Sequence, residues 1–177
     1  MTEGSGSAAA SVDTAETAEL IGHLAAHGAT IAAAESVTGG RLVAALTSVP
    51  GSSAVVRGAI VAYATDLKVS ILGVDPSLLA SQGPVCAEVA EQMAAGARGR
   101  LAATYGVSTT GEAGPDSASG CPVGTVYVAV AGPDGTRSHL SELSGDREQV
   151  QRRTVVAALQ LLAEVSGGPG SRARPTS

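Results

Sequence analysis

Ser36 and Lys68 are the two side chains best suited to covalent chemistry. Ser36 lies in the run Ala34-Glu35-Ser36-Val37-Thr38-Gly39-Gly40, between a short apolar segment, Thr30 to Ala34, and the apolar-periodic Leu42, Val43 and Leu46. That order predicts a strand, a tight turn and a helix. A hydroxyl on such a turn sits beside unpaired backbone N–H groups and the positive end of a helix dipole, a place suited to a nucleophile with its oxyanion hole or to a phosphate. The same spacing also suits Ser36 or Thr38 as a plain helix cap.

A serine nucleophile needs a base. The chain has three histidines, none close to Ser36 in sequence, which argues against a Ser-His-Asp triad. Lys68 is the only lysine, and the other basic side chains are arginines, too basic to accept a proton near neutrality. Lys68 follows Tyr63 just beyond the apolar run Ala59 to Ala64, expected to be a second strand lying beside and parallel to the first. A lysine buried near a tyrosine would have a lowered pKa and could activate a serine. The competing reading is a solvated lysine on a helix surface.

Other candidates are weaker. The segment Gly111 to Gly124 is rich in glycine, long for a link between strands, and could bring backbone close to a ligand. Cys86 follows Gly83-Pro84-Val85 at a helix start and reads as an inert residue at a capping position. His23 and His27 share a helix face, but no metalloprotease glutamate or third ligand accompanies them, so they read as solvent-facing. The chain has no phosphate-loop, dinucleotide-binding or G-x-S-x-G motif.

The elements that must hold these residues follow from periodicity. A helix is predicted over about 13–27, opened by a capping box of Asp13 and Glu16 and closed by Gly28. After the strand, turn and helix around Ser36, Pro50-Gly51 breaks the chain before the strand 59–64. Short helical pieces over 65–81 split near Gly73 and Pro76, and a longer helix spans about 87–103. A strand at about 106–110, the glycine loop and a strand at 125–131 come next. Pro133-Asp134-Gly135 turns the chain into an antiparallel strand over 136–143, and a last helix covers about 146–165. Alternating strands and helices ending in a hairpin and a helix predict a three-layer α/β/α single domain on a mixed β-sheet. Active sites in such sheets lie beyond the carboxyl ends of parallel strands, where the Ser36 turn and the glycine loop both begin.

Composition sets limits on partners. The 177 residues hold 11 basic and 16 acidic side chains, a net charge of −5, which argues against binding a duplex by neutralising phosphates. Aromatic residues make up 2%, too few for stacking single-stranded bases. Cys86 and Cys121 show neither metal-ligand nor disulfide-framework spacing, and no signal peptide or membrane-spanning run is present. A soluble, cytoplasmic chain is expected, with no nucleic-acid or membrane partner. Residues 1–12 and 167–177, rich in Gly, Ser and Pro, are expected to be disordered tails around a domain at 13–166.

The ordered motifs Ala34 to Gly40, Pro50-Gly51-Ser52-Ser53, Arg57-Gly58, Tyr63 to Lys68, Leu72-Gly73-Val74, Gly114-Pro115, Pro122 to Val126 and Gly145-Asp146-Arg147 resemble the CinA C-terminal domain family, in its stand-alone form. The resemblance implies a nicotinamide-nucleotide amidohydrolase that converts nicotinamide mononucleotide to nicotinic acid mononucleotide and ammonia, without metal or organic cofactor, as a homodimer. By position it implies Ser36 as nucleophile with Tyr63 and Lys68 assisting, and substrate binding by Thr38, Gly39, Gly40, Gly111, Gly114 and Arg147. Several positions depart from the family pattern, among them Gly83-Pro84-Val85-Cys86, where the family has Gly-Ala-Val-Ser at a helix start. Thr65 replaces an asparagine, Glu112 an apolar residue and Cys121 a basic one, so the glycine loop offers an anionic phosphate less attraction. A member that keeps the fold and binds a ligand without turnover is the competing expectation.

Overall fold

The computed structural model describes residues 12–170, so most of each tail expected at 1–12 and 167–177 lies outside the described residues. Five strands form one sheet in the order β2-β1-β3-β4-β5: β1 (Ile31–Glu35), β2 (Val56–Val61), β3 (Tyr105–Gly111), β4 (Thr125–Gly132) and β5 (Gly135–Glu142). β1 runs parallel to β2 and β3, while β3–β4 and β4–β5 are antiparallel, giving the mixed sheet expected.

Side chains alternate between the two faces with the strand period of two. Ile31 and Ala33 of β1, Val107 of β3, and Val128 and Val130 of β4 join the core beneath α1 (Thr14–Ala26), α2 (Arg41–Thr47) and α6 (Arg147–Ser166). Ala32 and Ala34 turn to the other face, toward α3 (Thr65–Ser70), α4 (Pro76–Gln82) and α5 (Ala87–Arg100), and Ala129 and Ala131 pack there against Ala90 and Ala94. The result is the α/β/α sandwich.

A core without Phe or Trp closes by bringing backbones together. A Cβ on Gly106 of β3 would lie 2.0 Å from the Ala94 carbonyl oxygen of α5, and one on Gly96 of α5 would lie 2.0 Å from that of Leu72. Both sites therefore exclude every residue but glycine unless the backbone moves.

Two expectations need correction. β2 occupies Val56–Val61 rather than 59–64: Ala62 still donates its N–H to the Glu35 carbonyl, and the chain then leaves the sheet for α3. The apolar residues after Val61 belong to that exit, with Ala62 fully buried. The capping box is also not at Asp13, whose side chain accepts only from Ala15 N–H. It stands at α6, where Asp146 accepts from Gln149 N–H and Gln149 Oε1 accepts from Asp146 N–H, a device worth about 1 kcal/mol.

Candidate active site

Glu35 ends β1 and Ser36 begins the turn into α2, with Ser36 N–H still donating to the Thr109 carbonyl of β3. Beside it, the β2–α3 link is tied down by Ala62, whose N–H is bound to β1 and whose carbonyl accepts from Lys68 Nζ at 2.9 Å. α3 thus aims Lys68 back over the end of β1, where Nζ lies 3.0 Å from Ser36 Oγ. Lys68 is 1% exposed, and among the described residues no carboxylate pairs with it. Burial without a counter-ion disfavours the ammonium, and the Lys68 pKa falls from 10.5 to about 8. Of the two readings open for Lys68, the buried one holds.

Ser36 caps nothing. The N-cap of α2 is Gly40, and the donors at the start of that helix are taken by Glu35. The fully buried Glu35 carboxylate accepts from Thr38 Oγ (2.6 Å), Gly40 N–H (2.9 Å) and Leu42 N–H (3.0 Å) at Oε2 and from Val43 N–H (2.8 Å) at Oε1. Thr109 Oγ lies 2.7 Å from Thr38 Oγ. Since the Thr38 hydroxyl donates to Glu35, that of Thr109 donates to Thr38. The anion-binding place expected at the helix start is therefore filled by the protein's own carboxylate.

Of the amides expected to hold substrate, Gly40 N–H is bound to Glu35 and Gly39 N–H to the Ser36 carbonyl. Among the described residues, Val37 N–H and Thr38 N–H donate no hydrogen bond. Two unpaired amides directly after a serine hydroxyl are an arrangement able to receive an oxyanion.

This geometry sits in a chain with clear relatives. The family model of the CinA C-terminal domain matches residues 13–166. The chain belongs to the CinA C-terminal domain family. It is 50% identical over 149 residues to a CinA-like protein of Frankia casuarinae, covering 84% of this chain and 34% of that protein. The chain thus spans about a third of the length of the curated relatives it matches. The crystal structure of a competence-damaged protein (CinA) superfamily protein from Enterobacter cloacae superposes with a TM-score of 0.82 at 28% identity, covering 94% of this chain and 98% of that one. The competence/damage inducible protein CihA of Agrobacterium tumefaciens gives 0.76 at 36% identity, covering 83% and 93%.

Around the Ser36–Lys68 pair, this CinA-family domain places the other expected residues in a second group. Tyr63 is 59% exposed, and its hydroxyl accepts from Arg147 Nη2 at 2.6 Å rather than joining Ser36 or Lys68. Arg147 Nη1 donates to the Gly114 carbonyl at 2.7 Å. One guanidinium thereby links the β2–α3 exit, the start of the glycine loop and the first residue of α6. Gly111, at the end of β3, has no room for a side chain, since a Cβ would lie 2.6 Å from Val126 Cγ1.

The departures from the family pattern also find partners. Glu112 is buried and accepts from Ser119 N–H at 2.7 Å, so its carboxylate fastens the glycine loop instead of facing Arg147 or solvent. Cys121 Sγ lies 3.8 Å from the Val85 carbonyl oxygen. The Cys86 thiol is pushed up by burial, with Val89 N–H pulling the other way, which suits an unreactive sulfur. His23 is half-buried, its Nε2 3.0 Å from the Ser166 carbonyl oxygen, so it packs against the end of α6 rather than facing solvent. Among the described residues no group of three or more His, Cys, Asp or Glu converges as a metal site requires, and no helix is long and apolar enough to cross a membrane.

Two residues that matter here carried no signal of their own in the sequence. Glu35 is only one letter of the turn motif, and Gln151 belongs to no motif. Gln151 Nε2 in fact donates to the Val37 carbonyl at 2.8 Å, and its Oε1 accepts from Arg41 Nε at 3.0 Å.

Proposed function

We propose that this CinA-family domain is a serine amidohydrolase that converts nicotinamide mononucleotide to nicotinic acid mononucleotide and ammonia. The observation that carries the reading is the buried Lys68 Nζ held 3.0 Å from Ser36 Oγ without a counter-ion. A neutral amine so placed has a lone pair for the serine proton, while its own N–H donates to Ala62.

Ser36 Oγ attacks the carboxamide carbon as its proton passes to Lys68. The carbonyl oxygen becomes an oxyanion beside the N–H groups of Val37 and Thr38. Collapse breaks the C–N bond, the lysine ammonium returns its proton to the leaving nitrogen, and ammonia departs. Water then attacks the acyl-serine with Lys68 again as base, releasing the carboxylate and restoring Ser36. Tyr63 accepts from Arg147 through its oxygen, so its own proton is free to meet the substrate or the leaving amine. Substrate binding is assigned to Gly111, Gly114 and Arg147 as the family resemblance implies, with Arg147 tying Gly114 to Tyr63.

The reading is tested by ammonia release from nicotinamide mononucleotide, nicotinamide riboside, nicotinamide and simple aliphatic amides. Stoichiometric ammonia and nicotinic acid mononucleotide are expected. Saturable binding with no ammonia from any of them overturns the reading and favours a ligand-binding member of the fold, as the loop without a cation at Cys121 would suit.

The Lys68 pKa sets the pH dependence. Below about 8 the amine is protonated and cannot act as base. The expected profile of kcat/KM rises with unit slope up to a midpoint near 8 and is flat above it. Stability moves in the same sense: between about 8 and 10.5 the unfolded chain holds a proton at Lys68 that the folded chain does not, so stability rises with pH across that window. A midpoint at or below pH 6 would remove Lys68 as the base.

A further inference from the structure

Gln151 lies on the second turn of α6, 8% exposed, and reaches the turn that carries Ser36. Its amide has one workable orientation, because Val37 O needs a donor and Arg41 Nε needs an acceptor. A peptide unit is planar and trans, so its N–H points opposite to its carbonyl. Fixing the Val37 carbonyl therefore also fixes the Thr38 N–H. The preceding peptide is fixed in the same way, since the Ser36 carbonyl accepts from Gly39 N–H and the Val37 N–H must point away from it. Neither of these two amides finds a partner among the described residues.

We propose that Gln151 is a positioning residue for the oxyanion hole: by holding the Val37 carbonyl it keeps the Thr38 N–H turned toward the reacting carbonyl. The inference rests on the acyl-serine reading above. The Gln151 side chain hydrogen-bonds to neither Ser36 nor Lys68, so its loss should spare the base and ground-state binding while weakening stabilisation of the tetrahedral intermediate. Without that bond, rotation about the bonds on either side of the Val37–Thr38 peptide can turn the N–H away.

Gln151→Glu is the informative variant. It keeps the length of the side chain and the acceptor for Arg41, but its carboxylate has no proton for the Val37 carbonyl and repels it. The probe is a fluorophosphonate ester, which forms an Oγ–P bond at Ser36 and breaks its P–F bond, the hydroxyl proton passing to Lys68 and fluoride leaving. At pH 8 the second-order labelling rate is expected to fall about 100-fold relative to the parent, the scale for losing one oxyanion donor. KM for an amide substrate should change little while kcat falls in parallel. As the pH is lowered toward the ordinary glutamate pKa of about 4.3, the protonated side chain regains a donor, and the ratio of variant to parent rates should climb back toward one. A merely structural role gives no such recovery. Where Gln151→Glu does not fold, Gln151→Asn, which withdraws the amide without changing charge, should show the same fall in kcat with KM kept.

A parent chain not labelled at Ser36 defeats the acyl-serine reading itself. A labelled parent with a folded variant that reacts equally fast, or a loss that does not recover as pH falls, overturns the role of Gln151.

Discussion

Replacing Ser36 with alanine is expected to abolish ammonia release and fluorophosphonate labelling, with residual turnover below about one part in a thousand, while the fold survives. The two halves of that result have separate physical sources. Oγ is the atom that would form the acyl bond, and among the described residues no other hydroxyl lies within hydrogen-bonding distance of Lys68 Nζ. For stability the hydroxyl does little: it caps no helix, Ser36 stays bound to β3 through its backbone N–H, and Lys68 keeps its bond to the Ala62 carbonyl. The cost should stay near the ~1 kcal/mol of a single hydrogen bond. Lys68→Arg should be almost as inactive, since a guanidinium retains the charge but takes no proton. Turnover by a folded Ser36→Ala variant at more than a tenth of the parent rate would eliminate the acyl-serine route, and an active Lys68→Arg would leave Lys68 with a positioning role only.

Glu35→Ala is expected to have the opposite character, a large loss of stability with the loss of activity following from it. The carboxylate is fully buried and binds four donors, three of them backbone N–H groups at the start of α2. Alanine leaves all four without an acceptor, two on the buried Thr38 and Leu42 and two on the half-buried Gly40 and Val43. Each buried unsatisfied group costs about 1–3 kcal/mol, and partial relaxation or entry of water would reduce the sum to roughly 3–5 kcal/mol. Set against a typical domain stability of about 5–15 kcal/mol, that is a large share. Glu35→Gln should fall between alanine and the parent, because its NH2 group offers a donor where donors already point. A denaturant midpoint for Glu35→Ala within about 0.5 kcal/mol of the parent would mean that the carboxylate does not hold the turn.

These two glutamate and serine neighbours also mark how far the sequence could be read. Ser36 and Lys68 were legible because each is distinctive: a hydroxyl on a strand-to-helix turn, and a single lysine among arginines. Their meeting needed only the parallel pairing of β1 with β2, which the alternation of strands and helices predicts. Glu35 was hidden because a solvated and a buried carboxylate look alike in a turn motif; what separates them is the backbone path that folds four donors around it. Gln151 was hidden for a related reason, its partners lying more than a hundred residues earlier in the chain. Tyr63 lies near Lys68 in sequence, yet its side chain lies at the surface against Arg147, because Tyr63 stands in the exit from β2 while Lys68 is carried by the last turn of α3. The end of β2 misled the eye because Ala62 is as apolar as a strand residue while belonging to the exit that delivers Lys68.

The glycines that let α5 touch the sheet at Gly106 and the link after α3 at Gly96 have a mechanical consequence. At Gly106 and Gly96 the thickness of the domain is set by main chain resting on main chain, with no side chain between to yield. The residues leading into α5 are in turn fastened to the site end of the sheet, since Thr110 Oγ donates to the Pro84 carbonyl and Cys121 approaches that of Val85. The helix acts as a rigid bar with its fulcrum in the core and its tip beside the glycine loop. Precision at the mouth of the site is therefore inherited from two hydrogen atoms in place of methyl groups, well away from any reacting atom.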